Sequence, residues 1–355
     1  MSIYRLALML VAACAIAYLA MPYAIKMAHF LGAVDQPDSR KVHNRSMPRL
    51  GGLGIFSAFI IITFLGVPLS QPVLGILLGG IIIFLVGMLD DVYQLSPGVK
   101  LLGQCCAAAI AIYCGVVVSF VTNPFDGQLN LGWVGIPLTF LWIVGISNAI
   151  NLIDGLDGLA AGVSGIAAAT IGLVAYSQGQ EAVFILAFIL VASILGFLPY
   201  NFHPARTFMG DGGSNFLGFI LGCLAVMGLT KTTAVISLFV PIVILGIPIF
   251  DTFFAIIRRI NNRAPIFKPD KSHLHHRLMA IGLSHRGSVL IIYAISAGFG
   301  GMALVLNYVN RPKATLVLAV LLFVIILGAE KIGMRTGGAG AELVVPRKKA
   351  STQHS

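Results

Sequence analysis

Charge is what this 355-residue sequence lacks: Asp, Glu, Lys and Arg make up only 10% of it, against 58% hydrophobic residues. With a mean hydropathy of +0.95, that shortage excludes a water-soluble globular surface, since too few polar side chains remain to cover one. Long polar segments are missing as well, so the connections leave no room for a second folded domain outside a membrane. The apolar runs do not alternate polar with apolar residues, which excludes the lipid-out, lumen-in pattern of a β-barrel. Cysteine is scarce: Cys14, Cys105, Cys106, Cys114 and Cys223 lie inside apolar runs without paired metal-ligand spacing, and read as small hydrophobes. VAAC at 11–14 has the form of a lipoprotein cleavage site, but the apolar run continues past Cys14 to Tyr23, so an uncleaved anchor is expected.

What is present is a succession of apolar runs. A bilayer core about 30 Å thick needs roughly 20 apolar residues per helix, and eleven runs approach that length: about 4–27, 51–68, 72–89, 101–121, 133–149, 159–176, 181–198, 214–230, 233–253, 287–308 and 313–330. The expected fold is all-α, a polytopic integral membrane protein of about eleven transmembrane helices. Residues 1–330 are expected to form a single transmembrane catalytic domain, and 331–355 a basic, disordered cytoplasmic tail ending in RKKASTQHS.

The formal net charge of +10 has a topological explanation. Counting loops from an external N-terminus, the segments facing the cytoplasm hold 19 of the 23 Lys and Arg, and only Arg5, Lys231, Arg311 and Lys313 fall opposite. That is the positive-inside bias, and it requires no nucleic-acid partner.

The same threading places every dense polar segment on the cytoplasmic face. Asp90 and Asp91 follow GGIIIFLVGML at the end of a spanning helix, where adjacent carboxylates raise each other's proton affinity unless a cation lies nearby. Asp154 and Asp157, in NAINLIDGLDG, share a face if the segment is helical, while an ordinary turn with capping aspartates is the plainer reading of DGLDG. Asp211 stands in FMGDGGSNFLGF, with a helix expected from about Ser214. Its N-terminus would offer backbone N–H groups to a phosphate while the carboxylate held a divalent cation. Five carboxylates on one face point to a magnesium–diphosphate site, because hard oxygen ligands suit Mg2+. Zinc would call for His and Cys ligands, and HLHH at 273–276 supplies three histidines but no cysteine on that face. Beside Lys271 and Arg277, those histidines are better placed to contact phosphate oxygens or carry a proton. His29 and His203 read as interfacial residues.

RKVHNRSMPRLGG, LDDVYQLS, NAINLIDGLDGLAAG, YNFHPARTFMGDGGS and DKSHLHHRL, in that order between about residues 30 and 290, resemble the polyprenyl-phosphate N-acetylhexosamine-1-phosphate transferases, most nearly the TagO/WecA branch. The resemblance implies transfer of GlcNAc-1-phosphate from UDP-GlcNAc to undecaprenyl phosphate in the cytoplasmic leaflet, releasing UMP. That is the first lipid-linked step of teichoic-acid or other cell-envelope glycopolymer synthesis. It implies Mg2+, with Mn2+ as a substitute, held by Asp211, Asp90 and Asp91. One of Asp90 and Asp91 would act as a base at the acceptor phosphate, and Asp154 and Asp157 would position the nucleotide sugar or the metal. Asn151, Asn201 and Phe208 fall among the substrate contacts, as do Lys41, His43, Arg49, His273 and Arg277, and His275 and His276 among the catalytic groups. The implied partners are undecaprenyl phosphate, UDP-GlcNAc and the bacterial cytoplasmic membrane, with a homodimer as an open option. Where relatives often carry an acidic residue three places after the acidic pair, this chain has Gln94, which is left out of the site. An MraY-type transfer of phospho-MurNAc-pentapeptide is the alternative, disfavoured by HLHHRL and by eleven runs. A lipid transporter would place ionisable groups at mid-helix in repeated halves, a pattern this chain lacks.

Overall fold

The computed structural model describes residues 2–35, 46–122, 128–229, 239–261 and 273–309, together with parts of 314–327. Lys41, His43 and the tail 331–355 lie outside the described residues. Twelve helices are described: α1 (Ile3–Leu31), α2 (Gly52–Gly66), α3 (Gln71–Tyr93), α4 (Pro97–Tyr113), α5 (Gly135–Ile153), α6 (Leu159–Ser177), α7 (Glu181–Asn201), α8 (Gly210–Leu229), α9 (Phe239–Ile244), α10 (Gly246–Asn261), α11 (Leu274–Ala280) and α12 (His285–Tyr308). Two antiparallel ribbons accompany them, β1 (Val34–Asp35) with β2 (Met47–Pro48) and β3 (Phe120–Thr122) with β4 (Gln128–Asn130). Seven helices are long and apolar enough to cross a membrane (α1, α3, α5 with the turn before it, α6, α7, α8 and α12), and α2 and α4 are shorter apolar helices. The protein is thus an all-α, multi-pass membrane protein.

Three boundaries differ from the apolar runs for identifiable reasons. The run 101–121 does not stay helical: α4 stops at Tyr113, Gly115 takes a positive φ of 95°, and Val116–Val118 belong to no helix or strand. There the amide of Val118 donates to Thr139 Oγ1 at 2.9 Å. The run 233–253 contains a break between α9 and α10, where Pro248 has no N–H to donate to Ile244 O and so cannot continue the ladder. Finally, α8 begins at Gly210, four residues before the expected start, which moves Asp211 from a loop into the first turn.

Helix α8 is the axis of the bundle, packed on α2, α3, α5 and α6. Of its apolar window 89% is buried, against 28% for α1 and 33% for α12, and its mean hydropathy of 1.2 is the lowest of the seven. A helix sheathed by protein rather than lipid tolerates polar groups that a lipid-facing helix does not. Close approach makes the sheath possible. A methyl at Gly87 of α3 would sit 2.5 Å from Gly212 Cα, and one at Gly52 of α2 would sit 2.3 Å from Gly213 Cα. Beneath that contact the Phe56 and Phe84 rings stack at 3.9 Å, with Phe216 edge-on to both, forming an apolar floor one turn inside the carboxylates.

Candidate active site

The 46–52 segment, the α3–α4 turn, the α5–α6 turn and the α7–α8 loop meet at one end of the bundle. Asp90 and Asp91 close α3; their neighbour Lys100 occupies the first turn of α4, which Ser96 and Pro97 open. Its Nζ lies 2.9 Å from Asp90 Oδ2 and 3.2 Å from Asp211 Oδ2. A second cation faces the cluster from the other side: Arg49 Nη2 is 3.4 Å from Asp91 Oδ1 and 3.6 Å from Asp211 Oδ1. Pairing of Val34 with Pro48 and of Asp35 with Met47 sets that segment in place, and the Arg49 amide donates to Ala33 O. Asp211 therefore stands between two cations and two carboxylates.

Asp91 has a different environment from Asp90. Its side chain is 1% exposed, and its oxygens accept from the amides of Asp211 (2.9 Å) and Gly212 (3.0 Å). Gly210 makes that approach possible: its φ is +76°, and a methyl there would fall 1.9 Å from Arg49 O and 2.5 Å from Asp91 Oδ2. The expectation that the start of α8 offers those amides to a phosphate is thereby corrected, since an internal anion already fills the positive end of the helix. Both Asp91 oxygens thus accept a backbone N–H from the first turn of α8.

Residues 154–158 form turns rather than helix, the alternative that DGLDG itself offered, and Asp154 and Asp157 meet different neighbours. Asp154 ends α5 and belongs electrostatically to the main cluster. Burial, reinforced by Asp211 and then by Asp91 and Asp157 and opposed by Arg49, pushes its carboxyl up to about 7. Asp157 belongs to a separate junction, its Oδ2 lying 2.8 Å from His203 Nδ1 and accepting from the Ala205 amide at 3.1 Å. The Asp157 amide donates to His285 Nε2 at 3.0 Å, and the His203 and His285 rings stack at 4.2 Å. Ligand-capable atoms of these three residues lie within 4.8 Å of one another. Their hydrogen bonds already tie the α5–α6 turn, the α7–α8 loop and the start of α12 together, and Arg286 adds two more to His203 O.

Other expected contacts divide between open and structural positions. Asn201 is 2% exposed; its Oδ1 accepts from the Gly158 amide and its Nδ2 donates to Thr207 O, both at 3.0 Å. It joins the α5–α6 turn to the α7–α8 loop. Asn151 Nδ2 donates to Ser214 Oγ at 2.8 Å, and Phe208 is half-buried, its amide donating to Pro48 O. His273 is 5% exposed and lies 2.7 Å from Asp251 Oδ2, while Oδ1 of the same carboxylate accepts from the Leu274 amide at 2.8 Å. These contacts anchor the start of α11 on Asp251 of α10. His275 is 3% exposed; a methyl at Gly155 would lie 2.6 Å from its Nε2, an atom with no hydrogen-bond partner among the described residues. Burial, aided by the adjacent His276, lowers its pKa to about 3, so it is a neutral ring. His276 and Arg277 follow on α11, half-buried.

Lys100 and Asp251 are the groups sequence reasoning missed. Lys100 read as a topological charge, although it lies in the same polar segment as the acidic pair. Asp251 is a lone carboxylate in IPIFDTFFAII, and a lone ionisable group in an apolar run is itself a signal.

Residues 73–229 match the family model described as glycosyl transferase family 4. The chain is 49% identical over 319 residues, covering 89% of it and 88% of the relative, to the probable undecaprenyl-phosphate N-acetylglucosaminyl 1-phosphate transferase of Bacillus subtilis (strain 168). It is 36% identical over 320 residues, 81% and 80% of the two chains, to the decaprenyl-phosphate N-acetylglucosaminephosphotransferase of Mycobacterium leprae (strain TN). To the undecaprenyl-phosphate alpha-N-acetylglucosaminyl 1-phosphate transferase of Escherichia coli (strain K12) it is 29% identical over 294 residues, 81% and 80% of the two chains. The chain belongs to the polytopic membrane transferases of glycosyl transferase family 4. Within them its place is the TagO/WecA branch of the polyprenyl-phosphate sugar-1-phosphate transferases.

Proposed function

We propose that the protein transfers GlcNAc-1-phosphate from UDP-GlcNAc to undecaprenyl phosphate, giving undecaprenyl-diphospho-GlcNAc and UMP, with the carboxylate end of the bundle facing the cytoplasm and the chain crossing the cytoplasmic membrane eleven times. The observation that carries the reading is the placement of Asp211 between Lys100 and Arg49, against Asp90 and Asp91, at the end of a membrane helix. A lipid phosphate enters from the bilayer and a nucleotide diphosphate from water, and such a position serves both.

In this reading an oxygen of the acceptor phosphate bonds to the sugar-bearing phosphorus while that phosphorus loses its bridging oxygen to UMP. Phosphoryl transfer needs alignment and charge neutralisation more than covalent help. Lys100 and Arg49 hold the phosphate oxygens, and Asp90 faces the acceptor as proton acceptor. Because a phosphomonoester has a second pKa of about 6, the base contributes little near neutrality. Mg2+ fits this donor set: the Lys100 ammonium already lies between the oxygens of Asp90 and Asp211, where a hard cation would find oxygen ligands. Bound by Asp211 and Asp90, Mg2+ would supply charge neutralisation to the diphosphate. A product feeding teichoic-acid or another envelope glycopolymer suits the likeness to the Bacillus relative.

The test is purified protein in detergent with undecaprenyl phosphate, Mg2+ and a panel of UDP-sugars. UMP release with UDP-GlcNAc is expected, and turnover only with UDP-MurNAc-pentapeptide would overturn the reading.

A further inference from the structure

One turn inside the charged cluster, three amide side chains join α4, α5 and α8. Gln104 Nε2 donates to Asn215 Oδ1 at 2.9 Å and to Asn148 Oδ1 at 3.2 Å, and Asn148 Nδ2 donates back to Gln104 Oε1 at 2.7 Å. Asn148 Nδ2 also reaches Val144 O at 2.8 Å, and Asn215 Nδ2 reaches Asp211 O at 2.9 Å. Gln104 and Asn215 are 6% and 5% exposed.

The spacing gives this ladder its meaning. Lys100 and Gln104 are four apart on α4, and Asp211 and Asn215 are four apart on α8, so each pair occupies one helix stripe. The neutral rung Gln104–Asn215 thus repeats, one turn deeper, the charged rung Lys100–Asp211. Turning α4 by a single residue, about 100°, would break both rungs together. Packing alone would be served as well by three apolar side chains. Amides buried among apolar helices instead penalise every other register, because a shifted helix leaves them unpaired.

We propose that Gln104 is a positioning residue for the transfer reaction: by fixing the rotation and depth of α4 against α8, it holds Lys100 Nζ between Asp90 and Asp211. This rests on the GlcNAc-1-phosphate transfer reading. The test compares wild type, Gln104→Leu and the triple variant Gln104→Leu/Asn148→Leu/Asn215→Leu, measuring thermal midpoint, kcat per folded molecule and KM for UDP-GlcNAc. Gln104→Leu strands two amides and lowers the midpoint, whereas the triple variant strands none and recovers it. In both, kcat falls by about 10- to 100-fold, a larger change than any in KM, because Lys100 no longer stands where the transition state needs it. A kcat that returns with the midpoint in the triple variant overturns the proposal. If the triple variant does not fold, an unchanged kcat in folded Gln104→Leu, assayed well below its midpoint, overturns it equally. Failure of the underlying reading is distinguishable, since wild type itself would then release no UMP.

Discussion

Asp91 and Gly212 belong to different helices, yet the carboxylate of one caps the backbone of the other at 3.0 Å, with the Asp211 amide held beside it at 2.9 Å. The two members of the acidic pair thus meet different partners, Asp91 the backbone of α8 and Asp90 the Lys100 ammonium. Asp91→Asn sets an amide NH2 against a backbone N–H, and the unfolding free energy should drop by about 1–3 kcal/mol, the usual cost of a stranded buried group. Asp90→Asn, which faces a partly exposed lysine, should lose turnover with a smaller stability change. Thermal unfolding of the two purified variants, alongside UMP release, checks this; a larger loss of stability in Asp90→Asn would reverse the assignment.

Lys100 is the cation shared by Asp90 and Asp211. Lys100→Met should lower kcat by about 100- to 1000-fold, the scale of losing a preorganised charge. The Mg2+ concentration for half-maximal rate should not rise, because the ammonium competes for the same oxygens. A magnesium titration of the variant decides, and a raised requirement would mean that Lys100 assists metal binding instead.

His275 carries a pH dependence of definite sign. Its folded pKa is lowered to about 3, whereas an unfolded histidine titrates near 6.5. Between those values the unfolded chain holds the extra proton, so stability is full above about 6.5 and falls as pH drops, by up to about 1.4 kcal/mol per unit. The melting temperature of wild type should fall more steeply from pH 7 to 5 than that of His275→Asn. Parallel slopes would show that the ring protonates in place.

Orientation is open to direct measurement. A tag inserted at residue 178, in the α6–α7 turn, should be reached by an impermeant probe in intact cells, and one at residue 206, in the α7–α8 loop, only after permeabilisation. The opposite pattern would put the carboxylates outside.

Legibility in the sequence followed how locally each feature is determined. Helices α1, α3, α6, α7 and α12 were plain because a long apolar run needs no distant partner to be helical in a membrane. The start of α8 was hidden because MGDGG reads as a loop on its own; its cap, Asp91, arrives from 120 residues earlier. The same distance effect concealed the split between Asp90 and Asp91, which are adjacent in the chain but meet different neighbours. Asn201 and His273 were recognisable as special polar residues, but the groups that hold them, the Gly158 amide and the Asp251 carboxylate, come from other parts of the chain. Lys100 was masked by the strength of the positive-inside pattern, which accounts for a lysine at a helix end without asking what it faces.

The sheath around α8 also bears on how the chain is made. A helix of hydropathy 1.2 is a weak signal to the insertion machinery, which reads each segment largely by its own apolarity. Helices α2, α3, α5 and α6 all precede it in synthesis, so the cradle can exist before its occupant arrives. The helix bearing Asp211 is then retained in the membrane by its neighbours, so that seating α8 and assembling the carboxylate cluster become one event.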